Sequence, residues 1–287
     1  MSGVEQTRAF VLHQRPYRET SAIVDFLSTQ GRVSAVCRGL RNASRAAMAL
    51  RANIQPFAEV SLSYSGRSEL KNLRAVEALQ AVPALRRDTL YAALYLNELL
   101  LRLGHGNEFC SDIYHSYKNA LGALRVASYT QLNGNTNTNS VSTRGTAVHE
   151  DAAVRQDNVA RAIQIEVALR RFELSIIDTM GFAVDFTVTC DTHEAILAGR
   201  CYSYLPGQGF CVLQDTKPLQ CAIGEAPVYD ESRPDSRPLS VAGETLFALA
   251  RDDFGDPAAR RFAKQLTRRA LLPLLGERPL KTRELYA

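Results

Sequence analysis

The hydrophobic period of this chain changes once, at Pro83, and that switch limits what the two parts can become. Before it, Ala58, Val60, Leu62 and Tyr64 alternate with Glu59, Ser61, Ser63 and Ser65, the period of two expected of a half-buried strand. Residues 8–13, 22–27 and 33–37 read as further strands, with Gln30-Gly31 as a turn, and residues 70–76 continue beyond the turn at Ser65-Gly66. About five short strands in some seventy residues predict a small closed barrel over 1–80. The OB-fold is the common five-stranded form, and an SH3-like barrel fits the count nearly as well.

After Pro83, which suits a first helical turn, Leu85, Leu90, Leu94, Leu96, Leu99, Leu100 and Leu103 recur with helical spacing up to Gly104. Residues 110–127 and 159–180 read as two more helices, the second stopping at Gly181. Residues 242–250 and 258–275 read as the last two. Between them, 128–158 is Asn/Thr-rich with almost nothing apolar, and is expected to be a disordered insert. Residues 182–238 are rich in Gly, Pro and Cys and are expected to be irregular. The fold class is therefore α+β and multidomain: an OB-fold barrel over 1–80, then a helical domain over 81–287 with a small mixed Cys-containing segment.

Charge sharpens the reading of the barrel. Residues 1–80 hold eleven Lys/Arg against six Asp/Glu, while the whole chain nets only +4, so the positive excess sits in this part. A basic module in an otherwise near-neutral protein fits a polyanionic partner. From 26 to 58 there is no acid and there are five arginines: Arg32, Arg38, Arg41, Arg45 and Arg51. Arg38-Gly39-Leu40-Arg41-Asn42-Ala43-Ser44-Arg45 follows a predicted strand, so it belongs on the barrel rim. Guanidinium forks match phosphate oxygens, Ser44 adds a neutral donor, and Gly39 allows close backbone approach. A solvated basic loop would look the same. Of the interleaved rings Phe10, Tyr17, Phe26, Phe57 and Tyr64, most must fill the core. Tyr17, in the polar run Arg15-Pro16-Tyr17-Arg18, is the candidate for base stacking. Arg18 and Arg67 complete the candidate DNA-binding set.

A second candidate basic surface is the face formed by Arg261, Lys264 and Arg268, with no acid from 257 to 276. An ordinary solvated helix face is the alternative. Cys190, His193, Cys201, Cys211 and Cys221 raise the question of zinc. Only Cys190 and His193 have metal-ligand spacing, so buried thiols are preferred and no cofactor is expected. Cys37 and Cys110 read as core residues. There is no phosphate-binding glycine loop, H-E-x-x-H or G-x-S-x-G, so no enzyme is expected. No apolar run approaches the roughly 18 residues of a membrane span, and residues 1–6 are polar. The expectation is a cytoplasmic, nucleoid-associated protein with no membrane partner.

Three stretches resemble the RecO family. The first holds Ala9-Phe10-Val11-Leu12, Tyr17-Arg18-Glu19-Thr20-Ser21, Gly31-Arg32-Val33, Arg38-Gly39, Gln55-Pro56-Phe57 and Gly66-Arg67-Ser68-Glu69-Leu70. The second holds Tyr95-Leu96-Asn97-Glu98-Leu99, Phe172-Glu173-Leu174 and Met180-Gly181-Phe182. The third runs from Leu275-Gly276-Glu277-Arg278-Pro279 to Leu280-Lys281-Thr282-Arg283-Glu284-Leu285. The resemblance implies an N-terminal OB-fold followed by helices, and a mediator of DNA repair and homologous recombination. It implies binding of single- and double-stranded DNA, annealing of complementary strands, and action with RecR to help RecA replace single-strand-binding protein (SSB). It implies that the family's basic loop falls on Arg38, Arg41 and Arg45. It also implies a docking site for the acidic SSB tail on the helical domain, expected as an apolar cleft edged by Arg or Lys. Some members carry paired C-x-x-C zinc ligands, where this chain has only Cys190-x-x-His193. The rival reading is an OB-fold protein-interaction adaptor that does not itself bind DNA.

Overall fold

The computed structural model describes residues 4–104, 111–135, 147–213, 239–276 and 278–282; side chains of 130–135 and 147–154 are not described. The chain forms two compact units, Met1–Phe172 with Pro279–Ala287, and Glu173–Arg278.

In the first unit, β1 (Glu5–Tyr17), β2 (Ser21–Ser28), β3 (Gly31–Cys37), β4 (Glu59–Ser65) and β5 (Leu70–Ala78) close a barrel in the order β1-β2-β3-β5-β4, and α1 (Arg45–Asn53) lies between β3 and β4. All pairings are antiparallel except β3 with β5. That order, with its one parallel closure, is the OB arrangement and decides against an SH3-like barrel. The predicted alternation holds for the apolar residues and for Ser61 and Ser63, while Glu59 and Ser65 at the ends of β4 are buried too. Val33, Ala35 and Cys37 on β3 and Val60, Leu62 and Tyr64 on β4 enter one core with Val24 and Phe26. Burial pushes the Cys37 thiol up to about 11, so it stays protonated and inert at neutral pH.

Two helices, α2 (Asp88–Leu103) and α3 (Ser111–Asn135), cover β1 and β2, which is why β2 is buried along its whole length. The Phe10 ring sits 5.0 Å from Tyr114 and 5.1 Å from Tyr117. Asn97 donates to the Leu12 carbonyl at 2.7 Å and accepts from the Tyr117 hydroxyl. The buried Glu59 carboxylate of β4 accepts from Tyr114 at 2.8 Å and from Lys118 at 2.9 Å. The change of period at 80/81 therefore marks a change of secondary structure inside one compact unit.

A C-terminal strap completes this unit. Arg102 donates to the Pro279 carbonyl, and Glu98 accepts from the Lys281 amide and from the Thr282 amide and hydroxyl. Burial pushes the Glu98 carboxyl up. The Thr282 and Lys281 hydrogen bonds and the Arg102 charge outweigh it, so the net value lies below the usual carboxylate range. A depressed folded value means this contribution is complete above the unfolded value of about 4.3 and is lost as pH falls through the folded value. Exchange protection of the Lys281 and Thr282 amides, corrected for intrinsic rates, should therefore collapse in acid. Glu98→Gln should remove that dependence. Equal protection at neutral and strongly acidic pH would refute it.

The helix α4 (Ala147–Ile177) carries the boundary between the units and ends in a wide turn, Asp178–Phe182, where Gly181 takes φ 82°. The expected disordered insert at 128–158 is corrected at both ends, since α3 runs to Asn135 and α4 starts at Ala147. Residues 136–146 lie outside the described residues. Polar composition argues against a core, but Ala, Glu, Arg and Gln at 147–158 are good helix formers.

In the second unit, β6 (Cys201–Leu205), β7 (Gly209–Val212) and β8 (Leu239–Ala242) form a sheet in the order β7-β6-β8. The expectation of an irregular 182–238 is thus corrected for 201–212; 214–238 lie outside the described residues. Gly207 at φ 73° and Gly209 at φ 125° make the hairpin turn that other residues would resist. Two helices follow, α5 (Gly243–Ala250) and α6 (Pro257–Leu275). The Asp256 carboxylate caps α6 by accepting from Ala258 at 2.9 Å, with Pro257 in the first turn. Phe262 of α6 packs on Phe210 of β7.

Candidate nucleic-acid interface

The β1–β2 turn, the exit of β3 and the start of β5 meet at one edge of the barrel. They enclose a cleft of about 730 Å³ lined by Tyr17, Arg18, Glu19, Thr20, Ser21, Val36, Arg38, Leu70, Lys71 and Asn72. The parallel register that sets Val36 opposite Asn72 brings β5 here. A smaller cleft of about 310 Å³ shares Val36, Arg38 and Asn72 and extends along β5 to Arg74. Three cations, Arg18, Arg38 and Lys71, thus line the larger cleft against one acid, Glu19.

The geometry sorts the expected residues. Tyr17 is the only one of the five rings named above that lines this cleft, and it is half-buried; the other four are in the core. Arg18 takes φ 54° in the turn after Tyr17, and its guanidinium lies 5.2 Å from the Tyr17 ring centroid. Arg38 is exposed, and among the described residues Lys71 donates to the Gly66 carbonyl at 3.2 Å, a neutral partner that leaves its charge able to meet an anion. Arg41 is exposed and its loop is docked on the turn: its amide donates to Thr20 and its guanidinium to the Arg18 carbonyl at 3.1 Å. Gly39, at φ 70°, makes the reversal that permits this docking.

Two other expected residues hold backbone carbonyls of the protein itself. Arg51 donates to the Leu40 and Asn42 carbonyls at 2.7 and 2.8 Å, bracing the loop from within. Arg32 donates to the Leu101 carbonyl at 2.8 Å, tying β3 to the end of α2. In both, one guanidinium nitrogen serves carbonyls left open at a turn or helix end. Ser44 caps α1 by accepting from Ala47 at 3.2 Å. Arg45 and Arg67 are exposed but do not line the cleft. Lys71, Asn72 and Arg74, which sequence reasoning did not single out, flank Leu73 on the last barrel strand and line these clefts.

In the second unit, Arg261, Lys264 and Arg268 are all exposed on α6 while Phe262 and Leu266 are buried, as their spacing required. Cys190 and Cys211 bring their sulfurs to 2.9 Å, and an Asp191 carboxylate oxygen lies within 4.8 Å of both. His193 and Cys201 do not join that group, and Cys221 lies outside the described residues. Three donors is one fewer than the four ligands of a structural zinc site.

A further groove lies between α3 and α4 within the first unit. It encloses about 470 Å³ and is walled by Ala120, Ala123, Val126, Ile163, Val167 and Phe172, with Arg171 on its border. Val126 is 57% exposed although it is apolar, so water now covers a surface that would gain from burial.

The sequence resembles those of known proteins along nearly its whole length. Residues 1–82 match the family described as recombination protein O, N terminal. The chain is 33% identical over 283 residues to the DNA repair protein RecO of Alteromonas mediterranea, covering 98% of this chain and 97% of that one. It is 31% identical over 285 residues to the RecO of Psychromonas ingrahamii, covering 99% and 98%, and 33% identical over 280 residues to that of Salmonella enteritidis PT4, covering 97% and 92%. With an OB-type barrel carrying a basic cleft and similarity along nearly its whole length, this chain belongs to the RecO family of DNA repair and recombination proteins.

Proposed function

We propose that this protein is a non-catalytic mediator of DNA repair and recombination that captures the DNA backbone in the cleft at the barrel edge. The observation that carries this is the convergence of Arg18, Arg38 and Lys71 beside the Tyr17 ring, with Arg41 docked alongside. Phosphate contacts carry no sequence information, which suits a protein that must act at any sequence. Tyr17 offers a face on which any base can stack. Base edges stay open to pair, so two complementary strands whose charge is partly neutralised can anneal without ATP.

The family's role implies an exchange in which, with RecR, RecA replaces SSB. For that step the α3–α4 groove is the reading of the SSB-tail site. Its apolar walls with Arg171 on the border match the apolar, Arg-edged cleft expected for an acidic tail. A labelled peptide with the acidic SSB tail should bind in the micromolar range. Ala123→Glu, which puts a carboxylate into the apolar wall, should weaken it at least tenfold while leaving oligonucleotide affinity unchanged. Equal peptide affinity in both proteins would place the tail elsewhere.

The test of the main reading is a fluorescence titration with a labelled single-stranded oligonucleotide at several salt concentrations. If Arg18, Arg38, Arg41, Lys71 and Arg74 each meet a phosphate, the slope of log affinity against log salt should be about −3 to −4. No retention of oligonucleotide at moderate salt, with RecR or SSB still captured, would favour the adaptor that binds proteins alone.

A further inference from the structure

The two sulfurs that meet in the second unit do not line the basic cleft. We propose that Cys190 and Cys211 form a redox-active dithiol, a modification site that a peroxide converts reversibly to a disulfide.

The backbone, rather than a chance rotamer, brings them together. Cys190 lies in a tight turn closed by hydrogen bonds from Thr189 to the Glu194 carbonyl and from Ile196 to the Thr187 carbonyl. Its own amide donates to the Phe210 carbonyl at 2.8 Å, fixing the turn against β7. Cys211 follows on that strand, held in register with Ser203 of β6. Gly209, at φ 125°, leaves room beside Cys190, since a Cβ there would stand 3.3 Å from the Cys190 Cβ, a tight contact. The sulfurs end 2.9 Å apart with no disulfide joining them. A disulfide needs about 2.05 Å, so less than roughly 1 Å of further approach closes the bond.

Exposure assigns the order of events. Cys190 is partly exposed, whereas Cys211 is 2% exposed. The Cys190 sulfur attacks one oxygen of hydrogen peroxide, the O–O bond breaks, and a sulfenic acid forms as one water leaves. The Cys211 sulfur then attacks the Cys190 sulfur, the S–OH bond breaks and a second water leaves. Two thiols have lost two electrons and two protons, and the peroxide has been reduced to two waters. The bond would join the turn to β7 across a separation of 21 residues. Cys37, buried in the barrel, is held protonated, and among the described residues no other sulfur is paired with it.

The experiment uses the reduced full-length chain, treated with hydrogen peroxide, alkylated with iodoacetamide and mapped by mass spectrometry. The expected result is a linked peptide pair containing Cys190 and Cys211, lighter than the two free peptides by about 2 Da and released by dithiothreitol. Cys211→Ser should leave Cys190 as a sulfenic acid that dimedone traps, and Cys190→Ser should leave Cys211 reduced. Alkylation of both thiols after peroxide overturns the proposal. So does a stoichiometric metal that, with Asp191, shields both sulfurs until a chelator removes it.

Discussion

Replacing Arg18, Arg38 and Lys71 together with alanine should weaken oligonucleotide binding by roughly 100- to 1,000-fold at low salt, since each charge-assisted contact contributes on the order of 1–1.5 kcal/mol at a partly solvated edge. The three residues come from three separate segments, the β1–β2 turn, the exit of β3 and the start of β5, yet line one cleft. Their loss should also flatten the salt dependence by about two, because each phosphate contact on a single strand releases roughly 0.7 of a counterion. Tyr17→Ala should behave differently: affinity falls by stacking energy, roughly 1–3 kcal/mol, with the slope unchanged. Arg32→Ala and Arg51→Ala supply the contrast. Their guanidinium groups grip backbone carbonyls, so they should lower the unfolding midpoint and leave the slope nearly as it was. A triple variant that keeps both affinity and slope would remove the cleft from the mechanism.

That contrast also explains what the sequence could and could not convey about the site. Tyr17, Arg18 and Arg38 were readable because they lie in polar runs next to strand ends, where the chain must reach the surface. Arg32 and Arg51 look identical to them in sequence. What separates them is a carbonyl on another element, Leu101 on α2 and Leu40 in the loop, and no local pattern reports it. Lys71 and Arg74 fell on the opposite side of the same problem. They reach the candidate clefts only through the parallel pairing of β3 with β5, a contact between segments more than thirty residues apart. The barrel itself was legible because strand period and turn residues are local signals. The hairpin of β6 and β7 was equally local, with Tyr202 and Tyr204 alternating before Gly207 and Gly209. It was obscured by the cysteines and glycines that surround it. The meeting of Cys190 with Cys211 had no sequence signal at all, since a gap of 21 residues follows no ligand spacing.

Asn97→Ala should lower the stability of the first unit by about 3–5 kcal/mol, because it strands two buried groups at once at roughly 1–3 kcal/mol each and leaves a small void. Asn97 is 3% exposed on α2 and faces β1. Its amide nitrogen donates to the Leu12 carbonyl at 2.7 Å, and its amide oxygen accepts from a Tyr117 hydroxyl on α3 that is itself fully buried. The Leu12 position lies where β1 is displaced between Val11 and His13, so its carbonyl is turned out of the strand ladder and needs this donor. Removing the side chain leaves the carbonyl and the hydroxyl without partners in a site too closed for water to serve both. Tyr117→Phe in the same background separates the terms: if the hydroxyl's isolation is a real cost, the double variant should recover roughly 1–2 kcal/mol of it. The same joint predicts that a fragment ending at residue 82 will not fold stably, since it would expose Phe10 and leave Glu59 without Tyr114 and Lys118. Denaturant unfolding followed by tyrosine fluorescence measures the first effect directly. An Asn97→Ala protein within about 1 kcal/mol of the parent would mean that barrel and helices are coupled only by their apolar contact.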